Sequence, residues 1–145
     1  MARFRPRISP DAGRNTRQFV LQKLLIEKHF PCFKCTLTHR TLKCEGLIRP
    51  SEGCPKYRLS ISYKQGGTPS VRVLEPEIKP SSAIHVYPDG HLCLYYPAES
   101  PWRPAMNIHE TIIPWAAEWL VFYELFLVCG TWLGPEADHR LTEED

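Results

Sequence analysis

An α+β domain is predicted for this chain by three observations. An apolar stripe at helical spacing near the start is followed by four short segments with strand character, separated by turn residues. An irregular, proline-rich stretch from Pro76 to Pro104 comes next. A strongly apolar segment with helical start and stop signals then closes the domain. A helix, a run of strands and a further helix form an α+β order, not alternating parallel units. The chain has 145 residues, enough for one domain with its own core, and its 43% hydrophobic content is that of a globular protein.

Residues 1–14 read as a basic N-terminal arm, with Arg3, Arg5, Arg7 and Arg14, and Arg17 lies just beyond it. Residues 15–135 read as the single domain, and 136–145 as an acidic tail with Glu136, Asp138, Glu143, Glu144 and Asp145. Asn15 or Thr16 is the expected cap of a helix running to about His29. Its apolar stripe is Val20, Leu24 and Leu25, with Leu21 and Lys28 beside them. Pro31 stops it. Phe33–Thr38 alternates as a strand, and Thr41–Ile48 follows as a second. Tyr57–Tyr63 shows strict period-two alternation, and after a Gly66-Gly67 turn Ser70–Leu74 is the last strand of the meander. Asn107 and Glu110 have the spacing of a capping box, Pro114 suits the first position of a longer helix, and Gly130 its end.

Net charge is +2, so bulk charge gives no argument for direct nucleic-acid binding. The arginine-rich start is either a solvated tail or a docking arm for an acidic partner. No apolar segment stands behind those arginines, so no secretion signal is expected. Trp115–Val128 is expected to be too short to span a bilayer and carries Glu118 and Glu124. A cytoplasmic protein without membrane contact is the expectation. The six cysteines are then expected to be reduced. Cys32, Cys35, Cys44 and Cys54 are spaced C-x2-C-x8-C-x9-C, which invites a zinc reading. Cys35 and Cys44 fall in alternating strands, however, where a small buried hydrophobe is the simpler account. Neither metal nor cofactor is expected, and no glycine-rich ATP-binding motif is present.

The most informative run is Ile84-His85-Val86-Tyr87-Pro88-Asp89-Gly90-His91-Leu92-Cys93-Leu94, followed by Trp102-Arg103-Pro104. It places a single cysteine between leucines, just after a Pro-Asp-Gly turn. This order resembles the active-site segment of ubiquitin-conjugating enzymes, H-P-N-x-Y-x-x-G-x-I/L-C-L with W-S/R-P shortly after. The matching positions are Tyr87, Gly90, Leu92, Cys93, Leu94, Trp102 and Pro104. The order of elements from about residue 16 to 130 is also similar to that family's. The resemblance implies a ubiquitin-conjugating-like fold and an acyl transferase with Cys93 as nucleophile. The thiolate of such an enzyme must be reachable, and its donor, a flexible C-terminal tail, needs a shallow groove.

The chain departs from the pattern at the asparagine, where His85 stands, with Ile84 and Ala83 before it. An imidazole can still donate a hydrogen bond to an oxyanion or act as a base, so Cys93 and His85 are the candidate catalytic residues. Tyr87, Asp89, Gly90, His91 and Trp102 are supporting candidates; His91 is placed to lower the thiol pKa and Trp102 to anchor the segment. An ordinary surface role for either histidine, and a buried structural role for Cys93, are the competing readings.

The closing helix carries Trp115, Trp119, Leu120, Phe122, Tyr123, Phe126 and Leu127 around most of its circumference. Such a helix is buried on both sides or covered by a partner. Trp119, Phe122, Tyr123 and Phe126 are the candidate partner-binding residues. The pattern Ile113-Pro114-Trp115-Ala116-Ala117-Glu118-Trp119-Leu120, with Gly130-Thr131-Trp132 after it, is similar to bacterial relatives in antiphage islands. These are the stand-alone ubiquitin-conjugating-like proteins of cyclic-oligonucleotide signalling systems (CBASS). That resemblance implies a partner with a transferable C-terminal tail, a cGAS-like nucleotidyltransferase. A catalytically weak module that only binds its partner, and a metal- or redox-active cysteine protein, are the other functional classes left open.

Overall fold

The computed structural model describes residues 10–94 and 102–135, with side chains in the first helix from Gln18 onward. Arg3, Arg5, Arg7 and the tail from Glu136 lie outside the described residues. The order is α1 (Pro10–His29), β1 (Lys34–Thr38), β2 (Thr41–Ile48), β3 (Tyr57–Lys64), β4 (Ser70–Glu75), a single 3-10 turn at Ser82–Ile84, and α2 (Ile112–Cys129). The strands form one antiparallel four-stranded sheet in the order β1-β2-β3-β4, which is the meander expected.

Alternation sets which face of the sheet is buried. On β3, Tyr57, Leu59, Ile61 and Tyr63 are buried while the residues between them are half-exposed. Register then aligns Cys35, Cys44, Ile61 and Val71 in one buried row across all four strands. Cys35 and Cys44 are thus core residues, as the strand reading required. Gly46 lies under the Phe33 ring, where an added Cβ would come within 2.4 Å of ring carbons. Phe33 seals that corner of the core because Gly46 has no side chain.

α1 covers the sheet with Phe19, Gln22 and Ile26. This corrects the expected stripe: Val20 and Leu24 are exposed, as is Leu21 beside them. The physical reason is Gln22, a fully buried amide whose partners are far away in sequence. Its Nε2 donates to Asn107 Oδ1 at 3.0 Å, and its Oε1 accepts the Ile108 amide at 2.8 Å. A satisfied polar group can take a core position that a polarity pattern assigns to solvent. α1 also begins earlier than the expected Asn15 or Thr16 cap, at Pro10, a residue suited to the first helical turn.

The expected capping box at Asn107 and Glu110 does not form as such. Asn107 Nδ2 donates to the Glu110 carboxylate at 2.9 Å and its Oδ1 serves Gln22, so neither side chain caps a helix end. α2 starts at Ile112, after an N-cap residue, Thr111, whose side chain makes no capping hydrogen bond. Pro114 sits at the third helical position, still within the first turn, where a missing amide proton leaves no bond unmade. The helix ends at Gly130, as expected, with the Gly130 amide bonded to Phe126 O.

The start at Ile112 makes α2 18 residues long, and by length and apolarity such a helix could cross a membrane. That corrects the expectation that the stretch is too short. Its inner face is nonetheless tied into the domain. Ile112, Ile113, Ala116, Trp119 and Leu120 are buried, and the Tyr57 hydroxyl donates to Glu124. Burial and the Glu124 carboxylate together push the Tyr57 phenol up from its ordinary value.

Candidate active site

Turn chemistry shapes the segment that carries Cys93. Tyr87-Pro88-Asp89-Gly90 is a β-turn closed by the Gly90 amide on Tyr87 O at 2.8 Å. Proline suits the second position of such a turn, and Gly90, at φ 95, takes the positive-φ conformation that re-pairs the chain. The Tyr87 amide donates to His91 O at 2.9 Å, and Val86 bridges Leu92, so the run is a small hairpin. Asp89 locks its tip. Its carboxylate accepts the His91 amide at 3.0 Å, bonds the His91 ring, and pairs with Arg72 at 3.5 Å. The His91 amide, then the His91 ring and Arg72, hold the Asp89 carboxyl below the usual carboxylate range.

The hairpin docks on the edge of β4. The Leu92 amide donates to Val71 O at 2.8 Å, and Arg72 bridges His91. Cys93 is fixed from the other side: its amide donates to His85 O at 2.9 Å. Cys93 therefore stands in the wall of a cleft of about 290 Å³ between the hairpin, the β3–β4 turn and Trp102. Thr68, Pro69, Ser70 and Val71 form the opposite wall. Sequence reasoning missed these residues and Arg72, because no local signal marks a wall that the sheet edge supplies.

The state of the thiol corrects two expectations. Cys93 is only 7% exposed, and burial pushes its pKa up to about 11. A hydrogen bond with Tyr87 works in the opposite direction, and the Asp89 charge adds to the rise. The thiol is thus largely shut off from solvent, against the reachable thiol that the resemblance implies. The cysteine follows the turn on the paired arm of the hairpin, between Leu92 and Leu94. Nor does the thiol sit below its ordinary value, as the position of His91 suggested. The His91 ring is engaged by Asp89 and stacks on Tyr87 at 4.3 Å.

His85 follows the 3-10 turn with a left-handed backbone, φ 58 and ψ 50. Its ring is buried and lies 5.2 Å from Trp132, which in turn packs on Trp119 and Phe122. The link to Cys93 that this geometry displays runs through the His85 carbonyl. Trp102 is buried edge-on against Tyr63 at 5.0 Å, the packing anchor anticipated, and it also lines the cleft. Gln18 and Gln22 of α1 hold the chain just beyond it, at Pro104 O, Asn107 and Ile108.

Trp119 does not face a partner. It is 4% exposed and its Nε1 donates to Ile84 O at 3.0 Å, so it fastens α2 to the Cys93 segment. Phe122, Tyr123 and Phe126 pack partly buried against the core. The outward face of α2 is aliphatic instead, with Val121, Leu125 and Val128 exposed. Among the described residues no group of three or more His, Cys, Asp or Glu side chains is placed to hold a metal ion. Cys32 Sγ donates to Leu47 O, and Cys54 pairs with Ser51.

A comparison with protein families bears directly on this site. The chain matches the family model described as Type II CBASS E2 protein over residues 22–140, which includes the hairpin, Cys93, Trp102 and α2. It belongs to that family. No curated protein matches the chain. Membership makes this a CBASS-associated E2-like protein, whose partners are other CBASS proteins. In this E2 protein the matched residues include Cys93 and the cleft that it lines.

Proposed function

We propose that this CBASS E2 protein carries the C-terminal tail of a partner, a cGAS-like nucleotidyltransferase, as a thioester on Cys93 and passes it to an amine. The observation that carries the reading is Cys93 itself, pinned by its amide in the wall of a cleft beside Tyr87 and Trp102. The helix, meander, cysteine segment and second helix support a ubiquitin-conjugating-like fold. In the first step the Cys93 thiolate attacks the carbonyl carbon of an activated tail. A C–S bond forms and the bond to the leaving group breaks. In the second step an amine attacks the thioester carbonyl, a C–N bond forms, the amine gives up a proton to solvent, and the Cys93 thiolate is released. Tyr87, already hydrogen-bonded to the sulfur, favours the thiolate against the burial that opposes it.

Burial of Cys93 favours a second reading, a module that binds its partner without covalent transfer. Co-expression with the cGAS-like partner followed by intact-mass spectrometry separates the two. An adduct released by hydroxylamine supports transfer, and a stable complex without an adduct supports the binding module.

A further inference from the structure

We propose that the Nε1–H of Trp102 donates a hydrogen bond to a main-chain carbonyl of the tail carried on Cys93, which makes Trp102 a tail-binding residue. The proposal rests on the thioester reading above and assigns the acceptor-binding group of that same cleft.

The starting observation is how this protein treats its other buried indoles. Trp119 Nε1 has Ile84 O at 3.0 Å, and Trp132 Nε1 has Pro135 O at 3.3 Å. Trp102 is 5% exposed, and its Nε1 is shut off from solvent and has no hydrogen-bond partner among the described residues. A buried donor without an acceptor costs free energy and is rare in native proteins. The other such atom among the described residues, His109 Nδ1, belongs to the His29–His109 stack and not to the cleft lining. The unpaired indole is thus found at the one place where the thioester reading puts a peptide.

The cleft suits that peptide. Val71, Leu92, Leu94 and Pro69 give it apolar walls, which strengthen a hydrogen bond made inside it. An extended tail has one carbonyl about every 3.3 Å along its path, whatever its side chains. A main-chain acceptor therefore lets Trp102 hold tails of varied sequence. Edge-on packing against Tyr63 braces the ring for this. Trp102 lines the cleft, so an acceptor carried on Cys93 that reaches its indole nitrogen displaces what covers it, and the bond reports occupancy.

The test uses the full chain, 15N-labelled, and a synthetic N-acetylated Ala-Ala-Gly-Gly peptide as its mercaptoethanesulfonate thioester. Cys93 attacks the thioester carbonyl, the C–S bond to Cys93 forms, the C–S bond to mercaptoethanesulfonate breaks, and that thiolate leaves and takes up a proton. The Trp102 indole N–H resonance, assigned by its loss in Trp102→Phe, is expected to move downfield and to exchange more slowly on loading. Those of Trp119 and Trp132 stay in place. Trp102→Phe is expected to raise the KM for the peptide thioester about tenfold with kcat nearly unchanged. A Cys93 adduct with an unmoved Trp102 resonance, or a folded Trp102→Phe protein that loads as the parent does, overturns the proposal while the thioester reading stands. Failure of any adduct to form on Cys93 removes both. If Trp102→Phe does not fold, the indole shift in the parent protein, assigned instead from through-bond and NOE correlations, decides alone.

Discussion

The main-chain carbonyl of His85 accepts the amide proton of Cys93 at 2.9 Å, and His85 reaches that position with a left-handed backbone. For a residue with a Cβ this conformation costs roughly 1–2 kcal/mol. Packing of its ring near Trp132 offsets that cost and couples the chain beyond α2 to the placement of the nucleophile.

A positioning role for His85 predicts equal effects on both half-reactions. His85→Ala is expected to slow loading and discharge alike, by about tenfold each, on the scale of a modest loss of geometry. His85→Gly keeps the left-handed backbone without strain and is expected to recover part of both rates. Single-turnover measurements of the two steps check this. Slowing confined to discharge would instead make the imidazole a direct oxyanion donor.

The raised Cys93 pKa gives a pH dependence. Burial favours the protonated thiol, so the thiolate fraction grows from the ordinary thiol range near 9 up to about 11. Alkylation of Cys93 by iodoacetamide, followed by peptide mass mapping, is expected to accelerate across that whole window. A plateau reached by pH 8 would contradict the buried thiol. The linked stability runs the other way. The folded pKa lies above the unfolded one, so this contribution is present below about pH 9 and is lost as pH rises through 11.

Gln22 is the structural clamp between α1 and the chain leading into α2. Gln22→Ala leaves the buried Ile108 amide without its acceptor. The expected cost is about 2–3 kcal/mol of unfolding free energy. Denaturant unfolding measures it, and a loss below about 0.5 kcal/mol, the scale of a neutral surface change, would mean the clamp is dispensable.

The outward face of α2 is the expected partner surface, through aliphatic residues and not the aromatics first singled out. Val128 is 85% exposed and Leu125 39%. Leu125→Asp and Val128→Asp are expected to weaken partner binding by about 2 kcal/mol if these residues anchor it, while the melting temperature of the isolated protein barely moves. Titration calorimetry against the CBASS partner checks the first point and thermal unfolding the second. Unchanged affinity would move the contact off this face.

The sheet was readable from sequence because β3 alternates strictly and one of its faces is buried. The hairpin tip was readable because Pro88, Asp89 and Gly90 each supply what the turn needs. α1 was misread at its core face, because Gln22 is satisfied by residues 85 and 86 positions away. The same distance problem hid the cleft wall at Thr68–Val71 and the Arg72–Asp89 pair, which exist only once the hairpin lies along β4. Trp119 looked like an interface residue because composition cannot tell which side of an apolar helix meets the core. Its bond to Ile84 O settles that.

The most direct test of the central claim is intact-mass spectrometry of the parent protein, Cys93→Ser and Cys93→Ala, each co-expressed with the proposed nucleotidyltransferase partner. The account predicts a tail adduct on the parent that hydroxylamine removes, a thiol-resistant oxyester on Cys93→Ser, and none on Cys93→Ala. A hydroxylamine-labile adduct that persists on Cys93→Ala would contradict it.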